Sequence, residues 1–384
     1  MSKKVLILIA TLVAVLLVSC QAAPTQVTDR PPLKADITPA PATAPAWEQA
    51  WNKSVVQAKK EGKVFVYATS QVRDAFKPFT QKYGIEVDVV VGRGGEISTR
   101  LLSERRAGLA LSDVYQGGAT TLMTSIKPSG ILAPLDNVLV LPEVLDETKW
   151  LNGRLPFVDK ERMIVSFIAG TDPDFVINTS LARADELKSY PDILNPKWKG
   201  KIVINDPTTA GSGLKWFGLI VRASLGPEKG KEWMKNLAKQ EPMITRDQRL
   251  QMDWLAIGKY AIAVAPQREL IDEFQKLGAP IAPIELFELA DISPGSGNLA
   301  MISNAPHPNA AKLFINWLLT REGQNSYVQV FGSPSARIDA STQGLDPTVI
   351  PDPRKKYFIP DEGFYTGQTD MRELAVEIFG HLLK

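Results

Sequence analysis

Apolar and polar positions along the chain follow two spacings, which predict helices and strands in turn. Residues 47–61 carry apolar side chains three and four positions apart and end at a glycine, as an amphipathic helix does. Residues 63–69 form a short β-branched and aromatic run, which predicts a strand. The alternation continues with helices predicted over 70–83 and 96–107 and strands over 85–91, 113–115, 131–135 and 163–168. This order of elements predicts an α/β fold with mostly parallel sheets flanked by helices.

A second α/β series begins near residue 175 and ends near residue 283, and a strand and a long apolar helix follow over 299–330. About 340 residues after the N-terminal segment exceed what one hydrophobic core usually holds, so the sequence predicts two lobes. Lobe 1 is predicted to comprise residues 46–170 and about 297–340, lobe 2 residues 171–296, with a hinge between them, and residues 341–384 a C-terminal extension assigned to neither. Parallel strands place ligands beyond their carboxyl ends, so two facing sheet edges predict a ligand-binding cleft.

The N-terminal segment has the features of an export signal followed by a tether. Two lysines precede an apolar run over residues 5–18, and Cys20 follows directly after a serine. The positive start, short apolar core and small-residue end predict a secretory signal peptide over residues 1–19. Residues 20–45 are rich in proline and alanine and have few large apolar groups, so we expect an extended tether. The end of the signal resembles a bacterial lipobox, which implies that Cys20 is lipidated and anchors the exported protein to a membrane.

Charge and cysteine content restrict the kinds of partner. Residues 1–19 contain two of the 44 basic residues and none of the 42 acidic residues, so the remaining chain is formally neutral. A neutral chain gives no reason to expect binding to nucleic acid or a polybasic contact with a membrane. Cys20 is the single cysteine of the sequence, which excludes an intramolecular disulfide.

Residues 205–213, Asn-Asp-Pro-Thr-Thr-Ala-Gly-Ser-Gly, stand between a predicted buried strand (201–204) and a predicted buried helix (214–222). The start of a helix leaves its first N–H groups unpaired and carries partial positive charge, which suits an anion. The hydroxyls of Thr208, Thr209 and Ser212 could donate to the same anion. The alternative is that Thr209 or Ser212 only caps the helix. No Gly-Lys-Ser/Thr ending is present, so the stretch is not a nucleotide P-loop.

Four segments resemble bacterial extracellular solute-binding proteins of the ABC-importer type. They are residues 58–67, 195–202, 206–212 and 308–323, the last with the sequence Pro-Asn-Ala-Ala-Lys-Leu-Phe-Ile-Asn-Trp-Leu-Leu-Thr-Arg-Glu-Gly. The resemblance covers about residues 60–330 and is to the ferric-ion-binding and related branch. It implies the two-lobed type II periplasmic-binding fold, a monomer without a cofactor, and delivery of a small-molecule ligand to an ABC permease in the membrane.

Iron in the ferric-ion-binding relatives is held by a histidine after the first strand, a glutamate after the third, and a tyrosine pair after a later strand. By position, the resemblance places the histidine near Ser70 or Gln71, the glutamate near Gly118, and the tyrosines near Arg268 and Glu269. Among these positions only Glu269 supplies a hard anionic oxygen, and an arginine would repel Fe(III). Ferric-iron binding for an iron importer is therefore the alternative hypothesis, and no metal ligands are assigned.

The rims of the predicted cleft instead offer neutral donors, backbone amides and two arginines. The candidate ligand-binding residues are Ser70, Gln71, Arg93, Gly94, Gly95 and Gly118 on lobe 1, and Thr209, Gly211, Ser212, Gln267 and Arg268 on lobe 2. The planar fork of arginine suits phosphate, phosphonate or carboxylate oxygens, so we expect a small anionic solute clamped between the lobes. For Arg93 and Arg268, a solvated surface position or an ion pair between the lobes is the alternative.

Catalysis is not expected from the residues present. Gly211-Ser-Gly lacks the Gly-x-Ser-x-Gly spacing of a nucleophile elbow, and the only histidines are His307 and His381. Presentation of the bound ligand to a membrane sensor kinase, rather than to a permease, is a further alternative that the sequence leaves open.

Overall fold

The structure, a computed structural model, describes residues 45–171, 173–209, 211–284, 286, 290–355 and 357–383. The predicted signal peptide, Cys20 and the predicted tether up to residue 44 lie outside the described residues. No helix within those ranges is long and apolar enough to cross a membrane.

The strands of the described residues form three sheets and are numbered in chain order. They are β1 (Lys63–Ala68), β2 (Glu86–Val91), β3 (Val114–Gly117), β4 (Leu132–Ala133), β5 (Ile164–Ser166), β6 (Gly170–Thr171), β7 (Phe175–Asn178), β8 (Ile202–Asn205), β9 (Met243–Thr245), β10 (Ile262–Val264), β11 (Ile281–Ile284), β12 (Ala290–Ser293), β13 (Asn298–Ile302) and β14 (Tyr357–Phe358).

The α-helices lie between and after these strands. They are α1 (Ala46–Glu61), α2 (Lys77–Tyr83), α3 (Gly94–Arg106), α4 (Ala119–Thr121), α5 (Pro142–Leu145), α6 (Tyr190–Ile193), α7 (Ser212–Leu219), α8 (Pro227–Ala238), α9 (Gln248–Ala256), α10 (Arg268–Lys276), α11 (Pro308–Leu319), α12 (Arg321–Phe331), α13 (Glu362–Thr366) and α14 (Gln368–Phe379).

The first sheet, which with its helices we call lobe 1, has the strand order β2-β1-β3-β13-β4, and β5 also pairs with β13. β1 is parallel to β2 and β3, whereas β13 is antiparallel to β3, β4 and β5. The sheet is thus mixed rather than mostly parallel. β13 returns from the second sheet, and it enters lobe 1 in the direction opposite to its neighbour β3.

The second sheet, which with its helices we call lobe 2, has the strand order β11-β7-β10-β8-β9. β8 is parallel to β9 and β10, whereas β7 is antiparallel to β10 and β11. This sheet is mixed for the corresponding reason, because β7 is the strand by which the chain arrives from lobe 1.

The central strands of these two sheets are buried on both faces, and successive residues of one strand contribute to different cores. In lobe 1, Val64 and Val66 pack in one cluster, while Tyr67 belongs to the cluster on the other face. In lobe 2, Ile177 and Val176 likewise belong to clusters on opposite faces of the sheet. Burial on both faces explains why these strands are continuous apolar runs without polar alternation.

A third sheet, of order β14-β12-β6, lies where the chain passes between the lobes. β6 leads from lobe 1 into β7, and β12 leads from lobe 2 back to β13. The two crossing strands are antiparallel, and β14 is parallel to β12. The predicted boundaries near residues 170 and 296 fall at or beside these strands, so the hinge stays a prediction for this place.

The C-terminal extension packs against both lobes. Phe364 and Tyr365 of α13 are buried with Tyr115 in a lobe 1 cluster. Ile378 and Phe379 of α14 are buried in a lobe 2 cluster. Assignment of this segment to one lobe is therefore impossible because its core contacts are divided between them.

The junction of β8 and α7 requires glycine at its closest point. A Cβ on Gly213 would overlap the backbone oxygen of Asn205 and would lie 2.7 Å from the backbone oxygen of Asp206. A Cβ on Gly218, in the same helix, would meet its nearest atom at an ordinary 3.5 Å, on the ring of Phe364. The first turn of α7 is thus held against the strand end by backbone contact.

We expect Gly213→Ala to lower the free energy of unfolding by about 1–3 kcal/mol, because strand end and helix must separate to admit the methyl group. Gly218→Ala is the matched control, and it should stay within about 1 kcal/mol of wild type or stabilise, since alanine favours a helix interior. Urea unfolding followed by circular dichroism measures both variants. Equal effects of the two substitutions would contradict the contact argument.

Candidate functional site

The rim of lobe 1 is formed by the loops that follow β1, β2 and β3. These are adjacent parallel strands, so their carboxyl ends lie at one edge of the sheet. The backbone N–H of Thr69 donates to Gln116 (3.1 Å), and that of Gly92 donates to Ala68 (3.1 Å), which ties the loops together. Six of the sequence-predicted residues are at this edge: Ser70, Gln71, Arg93, Gly94, Gly95 and Gly118.

Three hydroxyls that the sequence analysis missed surround the glycines of this rim. A Cβ on Gly94 would lie 2.5 Å from Thr121 Oγ1, and a Cβ on Gly117 would lie 2.7 Å from Tyr115 Oη and 2.8 Å from Thr69 Oγ1. Close approach of hydroxyls to bare backbone thus accounts for glycine at both positions. The position of Thr69 directly after β1 was a signal in the sequence, whereas Tyr115 lies inside a strand and gave none.

The Tyr115 hydroxyl is buried and makes no well-formed hydrogen bond within the described part of the chain, although Thr121 lies near it. Burial raises the pKa of Tyr115 well above its usual range, so the phenol stays protonated. The Thr69 hydroxyl is hydrogen-bonded to Ser296 Oγ at 3.0 Å. This part of the rim therefore presents neutral hydroxyl groups rather than carboxylates.

Arg93 precedes the first turn of α3 and is exposed. Its backbone N–H donates to Glu96 Oε2 at 3.2 Å, while its guanidinium forms no ion pair with any residue that the structure describes. The N-terminus of α3, a helix of 13 residues, adds partial positive charge at the same point. The surface-position alternative for Arg93 is thus the arrangement that the structure shows.

The rim of lobe 2 converges on Ser212. Its hydroxyl lies 3.1 Å from Asn205 Oδ1 and 2.7 Å from the backbone oxygen of Ala265, and it accepts a hydrogen bond from Gln248 Nε2 at 3.0 Å. These partners follow or end β8, β10 and β9. One serine therefore connects the three loops at the carboxyl edge of this sheet.

The first turn of α7 is capped by Asn205, not by Thr209 or Ser212. Asn205 Oδ1 accepts the backbone N–H of Gly213 at 3.1 Å as well as the Ser212 hydroxyl. The helix start is thus capped, as the alternative expected, but the capping residue is Asn205 rather than Thr209 or Ser212. An anion at residues 211–213 would have to displace this amide oxygen or use the N–H groups beside it.

Ala265 adopts a left-handed backbone conformation, with φ of 54°, directly after β10. This region is uncommon for residues other than glycine and costs free energy. The backbone N–H of Ala265 donates to Asp174 at 2.7 Å, which fixes the turn. The turn leads to Gln267, which is exposed immediately before α10.

Arg268, the second predicted arginine, is buried and already paired. Its guanidinium donates to Asp272 (2.8 Å), to Asp346 (2.9 Å) and to the hydroxyl of Thr348 (3.1 Å). Asp346 and Thr348 belong to the C-terminal extension, so the ion-pair alternative for Arg268 is the observed state. A role as an anion clamp would require these three bonds to break.

The two carboxyl groups beside Arg268 respond differently to their surroundings. Burial raises the pKa of Asp272 above its usual value, although the Arg268 charge opposes the change. For Asp346, burial acts in the same direction, but hydrogen bonds from Thr348 and the charge of Arg268 prevail and lower the pKa. Asp346 is therefore the carboxylate that Arg268 keeps ionised most firmly.

Two further ion pairs on lobe 2 involve buried acids. Asp206 pairs with Arg246 (2.8 Å), and Lys215 of α7 lies 2.8 Å from Asp291 of β12 and 3.1 Å from Ser293 Oγ. Lys215 gave no signal in the sequence because its partners are distant along the chain. Within the described ranges, no group of three or more His, Cys, Asp or Glu side chains is arranged to hold a metal ion.

Replacement of Asn205 by Ala should destabilise the protein by about 1–2 kcal/mol, because the Gly213 N–H loses its acceptor. Asn205→Asp keeps an oxygen at that point and places negative charge at a helix start, so we expect most of the stability to remain. Chemical denaturation of the two variants makes the comparison. A loss as large for Asp as for Ala would show that the cap does not depend on this oxygen.

Comparisons with known proteins identify the family and the fold of the chain. The family model described as "Bacterial extracellular solute-binding protein" matches residues 74–355. An uncharacterised protein of Haemophilus influenzae is 24% identical over 328 residues, which cover 83% of this chain and 90% of that protein.

Solved structures of periplasmic binding proteins are similar over most of their length. AfuA from Actinobacillus pleuropneumoniae, with exogenous fructose-6-phosphate bound, has a TM-score of 0.63 at 19% identity, covering 83% of this chain and 99% of that chain. A Trichodesmium protein (IdiA, FutA) in complex with iron and citrate has a TM-score of 0.62 at 18% identity, covering 84% of this chain and 99% of that chain. At these identities the likeness concerns the fold.

The fold and the two polar rims define a class, the two-lobed α/β binding proteins with the type II periplasmic-binding architecture, and this prediction is confirmed. Because the family model matches well over half of the sequence, the chain belongs to the bacterial extracellular solute-binding protein family. It is the substrate-binding component of an ABC importer, and binding proteins of this family deliver small ligands to a permease.

Proposed function

We propose that the protein captures a small anionic solute, bearing phosphate, phosphonate or carboxylate, in the cleft between lobe 1 and lobe 2. The observation that carries this proposal is the Arg93 guanidinium, which has no ionic partner among the described residues and stands at the N-terminus of α3. A planar guanidinium and the N–H groups of a helix start both favour oxyanions. Because both lie at the loop before α3, the guanidinium would supply the charge and the N–H groups would orient the acidic group of the solute.

The neighbouring groups support an anion rather than a bare cation. Thr69 and Thr121 place hydroxyls at the lobe 1 rim, Ser212 places one at the lobe 2 rim, and α3 begins at Gly94 with helix-start N–H groups. Hydroxyl and N–H groups can donate to the oxygens of an anion, where the Thr69 and Ser212 hydroxyls would exchange a present partner for the solute. Charge-assisted hydrogen bonds of this kind are the stronger ones, and closure of the lobes would strengthen them by excluding water. Two relatives with this fold hold fructose-6-phosphate or iron with citrate, and both complexes contain an oxyanion.

We further infer that the chain is exported and held at the cell envelope by lipid on Cys20, and that it works as a monomer. The lipobox resemblance of the residues before Cys20 and the extracellular character of the family support this placement. The tether over residues 20–45 would let the two lobes reach a permease while the lipid stays in the membrane.

Removal of the Arg93 charge should weaken binding of the cognate anion by about 10–100-fold, because a hydrogen bond to a charged group contributes about 1.5–3 kcal/mol. The test records thermal unfolding of wild type against a panel of small phosphates, phosphonates and carboxylates. A ligand at about 100 times its Kd should add about 2.7 kcal/mol of stability, which is a shift of several degrees. Arg93→Ala should lose most of that shift.

Arg106→Ala is the matched control, because it removes the same charge from the exposed last turn of the same helix. It should bind the anion as wild type does. If both variants bind equally, Arg93 is not the anion-binding group.

Iron is the second candidate, and the Trichodesmium relative with iron and citrate favours including it. In the same experiment, a shift with Fe(III) alone, accompanied by a coloured complex and unaffected by Arg93→Ala, would contradict the anion proposal. The protein would then serve an iron importer, with ligands other than those identified by position.

A further inference from the structure

The C-terminal arm, defined as residues 341–355 and 357–366, is fastened to lobe 1 at its beginning. The backbone N–H of Ser341 donates to Asn325 Oδ1 at 2.7 Å, and Gln329 Nε2 donates to the backbone oxygen of Gln343 at 2.9 Å. Asn325 and Gln329 both belong to α12. The start of the arm therefore moves with lobe 1.

The next turn of the arm is fastened to lobe 2 and to a crossing strand. Arg268, the first residue of α10, binds Asp346 and Thr348, and the hydroxyl of Thr171 in β6 donates to the backbone oxygen of Thr348 at 2.8 Å. Asp346 also accepts the backbone N–H and hydroxyl of Thr348, both at 2.8 Å. This local turn presents carboxylate and hydroxyl together to one guanidinium.

The arm has little slack between these two attachments. Gln343 is held by lobe 1 and Asp346 by lobe 2, and three residue steps span at most about 10 Å when fully extended. Rotation that separates the lobes further at this point must break one attachment. The Asp346 carboxylate is 45% exposed, so salt in the solvent can screen its ion pair with Arg268.

A second attachment lies at the start of α13 and has no slack. Glu362 binds Lys127 of lobe 1 at 2.6 Å, while the next carbonyls, of Gly363 and Phe364, accept from Arg222 of lobe 2 at 3.0 and 3.1 Å. Adjacent residues thus hold opposite lobes, so this point can act only as a pivot. When the lobes rotate apart about this pivot, the distance between them must increase at other points, including at Asp346.

We propose that Arg268 is a positioning residue whose ion pair with Asp346 latches the C-terminal arm across the two lobes and limits how far the cleft opens. Solute capture is then tuned by the latch, since the apparent affinity depends on the fraction of molecules in the binding-competent arrangement. The sequence predicted that the Arg268 guanidinium binds the solute, whereas in the structure it binds Asp346 and Thr348 of the C-terminal arm. This inference concerns lobe movement and does not depend on the identity of the solute.

The test compares Asp346→Asn with Asp272→Asn. Each removes one carboxylate at hydrogen-bonding distance from Arg268, but Asp272 lies in the same helix and connects nothing across the lobes. Spin labels on cysteines introduced at Ser103 of α3 and Glu232 of α8, in a Cys20→Ser background, report the distance between lobes. We expect Asp346→Asn to shift the distance distribution outward by several ångströms, whereas Asp272→Asn should leave it as in wild type.

Salt provides a second readout of the same latch. At 1 M NaCl the screening length is about 3 Å, so wild type should approach the distribution of Asp346→Asn and the variant should change little. Circular dichroism of each variant verifies that the fold is retained, which we expect because Asp346 is half exposed.

Identical distance distributions for wild type and both variants at low salt would overturn the latch. If Asp346→Asn then also binds inorganic phosphate more tightly than wild type, Asp346 only masks an anion-binding arginine.

Discussion

Burial of the central strands on both faces determines where this protein can carry polar chemistry. In lobe 1, Val66 and Tyr67 are consecutive and fully buried in different clusters, and lobe 2 divides Val176 from Ile177 in the same way. Helices cover the faces, so the strand ends and the loops after them are left for a solute. Helices such as α3 and α7 begin at those ends, which brings their partial positive charge to the rims. The polar rims are thus a consequence of how the cores are built.

Local periodicity was sufficient for the α/β class and for elements such as β1, β8 and α11, because each depends on a few consecutive residues. Strand direction was not predictable in the same way. β7 and β13 are antiparallel to every described strand with which they pair, because each receives the chain after a crossing between lobes. That direction is set by the path of the whole chain, and no window of residues contains it. The expectation of mostly parallel sheets therefore failed at these two strands.

The candidate site shows the same division between local and distant causes. The start of α7 was predictable from residues 205–213, and the parallel pairing of β1 with β2 and β3 places the loops after them at one sheet edge. The residue that caps α7 was not predictable, because Asn205 reaches Gly213 only once the turn between strand and helix has formed. The position of the Tyr115 hydroxyl beside the rim was also not predicted, since a tyrosine inside a buried strand has the sequence pattern of a core residue. Tertiary contacts decided these positions, and single-sequence patterns do not encode them.

Arg268 illustrates the strongest of these distant effects. A guanidinium withdrawn from water loses hydration that only hydrogen-bonded acceptors replace, so a buried arginine must be paired within the protein. Asp272 lies one turn away in the same helix, but Asp346 comes from the far end of the chain. Their two negative charges satisfy Arg268, whereas Arg93 retains a charge that no described residue neutralises. Of the two predicted arginines, the one on lobe 1 therefore keeps its charge without an ionic partner in the described part of the chain, and the one on lobe 2 does not. If the solute is the anion proposed above, its charged partner would accordingly be Arg93 on lobe 1.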